Sequence, residues 1–105
     1  MYKILLACGV GASSGFIASN MRKAAKKRGI EVEVKAVPDS ELYQYINDYQ
    51  ILMLGSHLEY KLEEVRSKVV AQCGEKPVVV IDKKAYAILD GESVLDTALS
   101  IIGNE

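Results

Sequence analysis

The chain has 105 residues, 50% hydrophobic and 26% charged, with a formal net charge of −1. That length suits one domain, residues 1–105, in which about 65% of the unfolded surface can be buried without disulfide staples. The near-neutral charge gives no reason to expect non-specific binding to nucleic acid or membrane, and no apolar stretch approaches the ~20 residues that cross a bilayer.

Residues 2–8, YKILLAC, are an apolar run that does not alternate, as in a strand buried on both faces. The run Ile4–Ala7 is too short for a signal peptide. Residues 9–13 read as a turn. From about Ser14 to Arg28 the spacing is helical, with Ile17, Met21, Ala24 and Ala25 on one face. The basic run 22–28 is expected to be the solvated side of that helix, and Gly29 stands where it should end. Residues 30–37 set Ile30, Val32 and Val34 against Glu31, Glu33 and Lys35, the pattern of a half-exposed edge strand. Pro38 is expected to stop it. Asp39 or Ser40 is expected to cap a short helix that turns Leu42, Tyr45 and Ile46 inward.

Residues 50–54, QILML, predict a second fully buried strand closed by Gly55. The next helix should run from about Glu59 to Gln72 over a stripe of Leu58, Leu62, Val65 and Val69, ending at Cys73-Gly74. Pro77 opens a third buried strand, VVVID, with Asp82 at its end in a turn or capping role. Residues 83–90 read as irregular or briefly helical, and the last helix as about Glu92–Ile102. Strands alternating with helices give an α/β fold: a doubly wound, four-stranded parallel sheet with helices on both faces. The first strand should lie centrally, between the alternating strand and the second buried one.

In such sheets ligands bind at the carboxyl ends of strands, where strand order reverses. Cys8 falls there. Glycines at 9 and 11 let the backbone curl so that several N–H groups converge, and the following helix N-terminus adds its dipole. Ser13 suits an N-cap, and Ser13 and Ser14 add hydroxyl donors. Such surroundings favour thiolate over thiol. A thiolate ringed by donors can attack a phosphoryl group, and the same donors can then hold its oxygens.

Three named patterns fail here. A Walker A loop needs a lysine that is absent. The dinucleotide fingerprint has its third glycine one position late, at Gly9, Gly11 and Gly15. A Cys-x5-Arg phosphatase loop needs arginine at position 14, where Ser14 stands. Losing that bidentate clamp suits a site that holds a phosphoryl group without hurrying its hydrolysis. The residues alone leave open a small cysteine phosphatase-like enzyme, a related reductase, and a nucleotide-binding domain in which Cys8 is structural. Cys8 and Cys73 form no CxxC pair and no zinc-ligand spacing, so reduced thiols and no metal are expected. Cys73, at a helix end far from the loop, reads as structural. His57, the only histidine, falls on the rim at the end of the third strand. Its default reading is a solvent-facing loop position, with an anion contact as the functional alternative. Tyr86 is assigned to core or rim packing.

Four segments in order, KILLACGVGASSG (3–15), AAKKRGIEVEVKAV (24–37), LMLGSHLEYKLEEV (52–65) and VVVIDKKAYAILDGESVLDTAL (78–99), carry a resemblance over nearly the whole chain. Together they resemble the enzyme IIB component of the lactose/cellobiose branch of the bacterial sugar phosphotransferase system. The resemblance implies the strand order 2-1-3-4. It implies that Cys8 accepts a phosphoryl group from a phosphohistidine of IIA. Cys8 would pass it to a sugar of the cellobiose, lactose or chitobiose class bound by membrane IIC. By the same carry-over, Gly9, Val10, Gly11, Ala12, Ser13 and Ser14 line the phosphoryl oxygens, no cofactor is needed, and the protein is cytoplasmic. The chain departs from the usual family loop at Ala12, Ser14 and Gly15, and has Gly55-Ser56-His57 where Gly-Pro-Gln is common. That rim should meet IIA and IIC.

Overall fold

Strand β1 spans Tyr2–Cys8 and is followed by α1 (Ser13–Arg28), β2 (Val32–Pro38), the short α2 (Leu42–Tyr45) with a 3₁₀ turn at Ile46–Asp48, and β3 (Ile51–Leu54). A second 3₁₀ turn at Ser56–Lys61 leads into α3 (Leu62–Cys73), β4 (Val78–Val80), α4 (Lys83–Ala87) and α5 (Gly91–Ile102). The computed structural model describes residues 1–8 and 13–103, with Ser13 and Ser14 in backbone alone. The four strands are parallel in the order β2-β1-β3-β4, as expected.

The two-residue period of a strand sorts the central side chains between two cores. On one face, Ile4, Leu6, Ile51 and Met53 pack with Ile17, Met21, Ala24 and Ala25 of α1 and Val94, Leu95 and Ala98 of α5. On the other, Leu5, Ala7, Leu52 and Leu54 pack with Leu42, Ile46, Leu58, Val65 and Val69. Ile4–Ala7 and Ile51–Leu54 are completely buried, which is why neither run alternates in sequence.

The structure departs from the sequence reading in several places. Pro38 belongs to β2 rather than stopping it. Tyr2 N donates to Glu31 O and Asp39 N to Cys8 O, so the odd-numbered residues of β2 face β1 and the even-numbered ones face the open edge. Pro38 therefore sits where a strand needs no N–H. Strand β4 is the opposite edge, so Val78 is buried but Val79 and Val80 are only half-buried, not the interior strand the apolar run suggested. Neither Asp39 nor Ser40 caps α2, whose N-cap is Glu41 without a side-chain bond. Asp39 instead accepts from Lys61 Nζ at 2.8 Å, and this hydrogen bond holds the ammonium above its ordinary range. The 3₁₀ turn delays α3 to Leu62. Asp82 does cap, accepting from Lys84 N and Ala85 N at the start of α4.

The basic run 22–28 is not purely a solvated face. Arg28 pairs with Asp96 at 2.5 Å and Glu92 at 3.8 Å, joining α1 to α5. Arg22 donates to the Val34 carbonyl, which points off the open edge of β2. At the other edge Arg66 Nε donates to Val78 O at 3.2 Å. Cys73 is a half-buried thiol that donates to Asn47 Oδ1 at 2.7 Å, a packing role at the end of α3.

Two predictions follow from packing. The first residue of α5, Gly91, is so close to α1 that a Cβ there would lie 2.5 Å from Asn20 C and Met21 N. Gly91→Ala should lower unfolding free energy in urea by about 1–3 kcal/mol, the range for overpacking. Gly15→Ala, with nothing within 4 Å of the new methyl, should raise it by up to about 1 kcal/mol. Tyr49, which sequence reading did not single out, is buried and donates to Glu33 Oε2 at 2.8 Å. Burial, and then that hydrogen bond, push its titration up to about 12. The folded state thus keeps this proton longer than the unfolded chain, whose tyrosines titrate near ~10. The corresponding stability is full below pH ~10 and lost as pH rises toward about 12. Chemical unfolding between pH 9 and 12 should show this loss, and Tyr49→Phe should flatten it.

Candidate functional site

The carboxyl end of β1 is fixed from both sides. Asp39 N donates to Cys8 O at 2.7 Å beyond β2, and Gly55 N donates to Ala7 O at 2.8 Å beyond β3. Cys8, paired in register with Pro38, is a thiol exposed by only 4%. Since Ile4 and Leu6 enter the α1-side core and Leu5 and Ala7 the other, alternation turns the Cys8 side chain toward α1. Helix α1 opens five residues later, so the thiol stands at the entry to a sixteen-residue helix.

Of the residues expected to line the site, Gly9, Val10, Gly11 and Ala12 lie outside the described residues. Ser13, expected as the N-cap, is instead the first residue of α1, and Ser14 the second. Among the described residues no group of three or more His, Cys, Asp or Glu could hold a metal ion.

His57 is exposed, as a loop histidine should be, but its ring is not loose in solvent. It packs on the half-buried Tyr86 with centroids 5.5 Å apart and planes at 50°. The imidazole also lies over Gly55: a Cβ built there would be 2.9 Å from His57 Cε1, 3.2 Å from His57 Nδ1 and 3.1 Å from Tyr86 Cε1. Gly55 has φ −59 and ψ 149, which any residue adopts, so crowding rather than backbone conformation calls for glycine here. The sequence reading took Gly55 as the end of a strand and the start of the rim loop, not as a neighbour of Cys8. The signal it offered was position, since Gly55 follows the Ala7↔Leu54 pair and so stands level with Cys8.

The lactose/cellobiose-specific IIB subunit family of the phosphotransferase system matches residues 3–97. Over 105 residues, the whole of both chains, this sequence is 30% identical to the oligo-β-mannoside-specific EIIB component of Bacillus subtilis. It is 28% identical over 104 residues, 94% of each chain, to the cellobiose-specific EIIB component of Lactococcus lactis. The fold is similar to that of the lactose-specific IIB domain of Streptococcus pneumoniae, with a TM-score of 0.83 and 16% identity over 96% of this chain and 97% of that one.

Substituting Gly55 should separate the rings without unfolding the protein, because the atoms in the way belong to side chains that can rotate. Gly55→Ala is expected to cost about 1 kcal/mol, the low end for overpacking, and to abolish the His57–Tyr86 ring NOEs expected of the parent.

Proposed function

The chain belongs to the lactose/cellobiose-specific IIB family of sugar phosphotransferase systems, and we propose that Cys8 is the residue through which it carries a phosphoryl group. In this reading residues 1–105 are one IIB-type carrier unit working in the cytoplasm. The membrane step belongs to its IIC partner. What supports the reading most is that a buried thiol ends the central strand, at the entry to α1, within a chain that matches the family over residues 3–97.

The chemistry takes two displacements. The Cys8 sulfur attacks the phosphorus of a phosphohistidine on IIA. An S–P bond forms as the N–P bond breaks, and the thiol proton ends on the donor imidazole. The backbone of Gly9, Val10, Gly11 and Ala12, with Ser13 and Ser14, receives the phosphoryl oxygens. A hydroxyl oxygen of the sugar held by IIC then attacks the same phosphorus. The S–P bond breaks and the hydroxyl proton returns to sulfur. Both steps balance without metal or cofactor, and depend on alignment and on donors already in place. Backbone N–H groups would suit both, since they do not titrate. Relatives named for oligo-β-mannosides and cellobiose support a β-linked disaccharide, of the cellobiose, lactose or chitobiose class, as the final acceptor.

Intact-mass spectrometry tests the assignment, after incubation with phosphoenolpyruvate, the general phosphotransferase proteins and a IIA protein. One phosphoryl adduct is expected, absent in Cys8→Ser. No adduct, together with phosphate release from an aryl phosphate, would replace the carrier with a phosphatase. No adduct, together with protection of Cys8→Ser by a dinucleotide, would replace it with a nucleotide-binding domain.

A further inference from the structure

We propose that His57 is a phosphoryl-binding residue of this site, its imidazole donating a hydrogen bond to an oxygen of the group carried on Cys8. The inference rests on the carrier reading above and assigns a second side chain to it. Register is the first argument. β1 and β3 pair through Ala7↔Leu54, so Cys8 and Gly55 occupy the next position on neighbouring strands, roughly 4.8 Å apart. Facing is the second. Ile51 and Met53 enter the α1-side core and Leu52 and Leu54 the opposite one. Gly55, next in that alternation, would direct a side chain to the same face as Cys8.

Gly55 has no side chain, and His57 fills the space instead, its Cε1 2.9 Å and Nδ1 3.2 Å from where that Cβ would be. The imidazole therefore stands where the lateral neighbour of the Cys8 thiol would be. Tyr86, on α4, packs on the ring with centroids 5.5 Å apart and brings its own Cε1 to 3.1 Å from the same Cβ position. A ring set in this slot, on an exposed residue, lies beside the end of β1 that carries Cys8. Neutral imidazole has one N–H donor and imidazolium two, so the ring carries a donor in either protonation state. A donor aimed at a phosphoryl anion makes a charge-assisted bond, stronger than one between neutral groups. This gives Gly55 a role as well: it is the vacancy that lets the imidazole in.

The test uses the full chain with Cys73→Ser, leaving Cys8 as its only cysteine, and adds His57→Ala, His57→Gln or Gly55→Ala. Two rates are read at pH 6. One is phosphoryl uptake from phosphorylated IIA. The other is the ratio of Cys8 alkylation by anionic iodoacetate to that by neutral iodoacetamide, which needs no phosphotransferase partner. Uptake should fall about 10-fold or more in His57→Ala, the scale of a lost bond to a charged group. Gln should restore most of it, because its amide supplies a donor of similar reach. The alkylation ratio should fall severalfold in His57→Ala and in Gly55→Ala, which displaces the ring. Wild-type values of both rates in His57→Ala would overturn the proposal. So would equal losses of uptake in Ala and Gln with an unmoved ratio, which would mark a docking role. If the parent takes up no phosphoryl group, the carrier reading fails. An alkylation ratio that still falls would then keep His57 as the anion-binding neighbour of Cys8, and an unmoved ratio would remove it.

Discussion

A parallel strand buried on both faces can meet solvent only at its ends, and β1 puts Cys8 at one of them. The strand is held by β2 on one side and β3 on the other, with Ile4 to Ala7 wholly out of water. Its carboxyl end is pinned by bonds from Asp39 N and Gly55 N. The thiol thus stands at the end of a strand held at the centre of the sheet. Strand order supplies the rest. The crossover through α1 leaves β1 for β2 on one face and the crossover through α3 leaves β3 for β4 on the other, so the two diverge between the carboxyl ends of β1 and β3, beside Cys8.

The same geometry explains why a small residue and a histidine belong together at the end of β3. Lateral neighbours in a sheet share a face, so whatever stands at position 55 stands beside Cys8. A large side chain there would fill the space from the strand itself. Gly55 leaves it to be filled from two residues further on, by a ring seated against Tyr86 of α4. Three separate elements therefore meet at one point, and none of the three residues is close to Cys8 in sequence.

Much of this was legible in the chain. Non-alternating runs at Ile4–Ala7 and Ile51–Leu54 identified the central strands because burial on both faces removes the need for polar residues. Alternation at residues 30–35 identified an edge. Helix α1 was visible as a periodic run after the apolar one, while residues 9–12 of the expected turn lie outside the described residues. What stayed hidden was set by pairing. Val78–Val80 looks interior in sequence, yet lies on an edge because no fifth strand covers it among the described residues. Pro38 looked like a terminator, but the outward parity of its position makes a missing N–H harmless. Asp39 looked like a cap until Lys61, 22 residues away, took its carboxylate. The slot at Gly55 depends on a ring from α4, a contact no local pattern encodes.

Arg22 and Arg66 each stand 12 residues before the outward carbonyl they hold, one at each border of the sheet. Each helix thus brings along a guard for the strand it feeds. Backbone recognition through an exposed border is indifferent to sequence, since any extended segment can zip onto it. With guanidinium groups stationed at both borders, that indiscriminate mode is obstructed. On the proposed reading, selection among partners would then fall to side chains at the carboxyl face, where an association can be specific and still brief. In the carrier role proposed above, a protein that must release each partner it engages would gain turnover from the interactions its fold declines to offer.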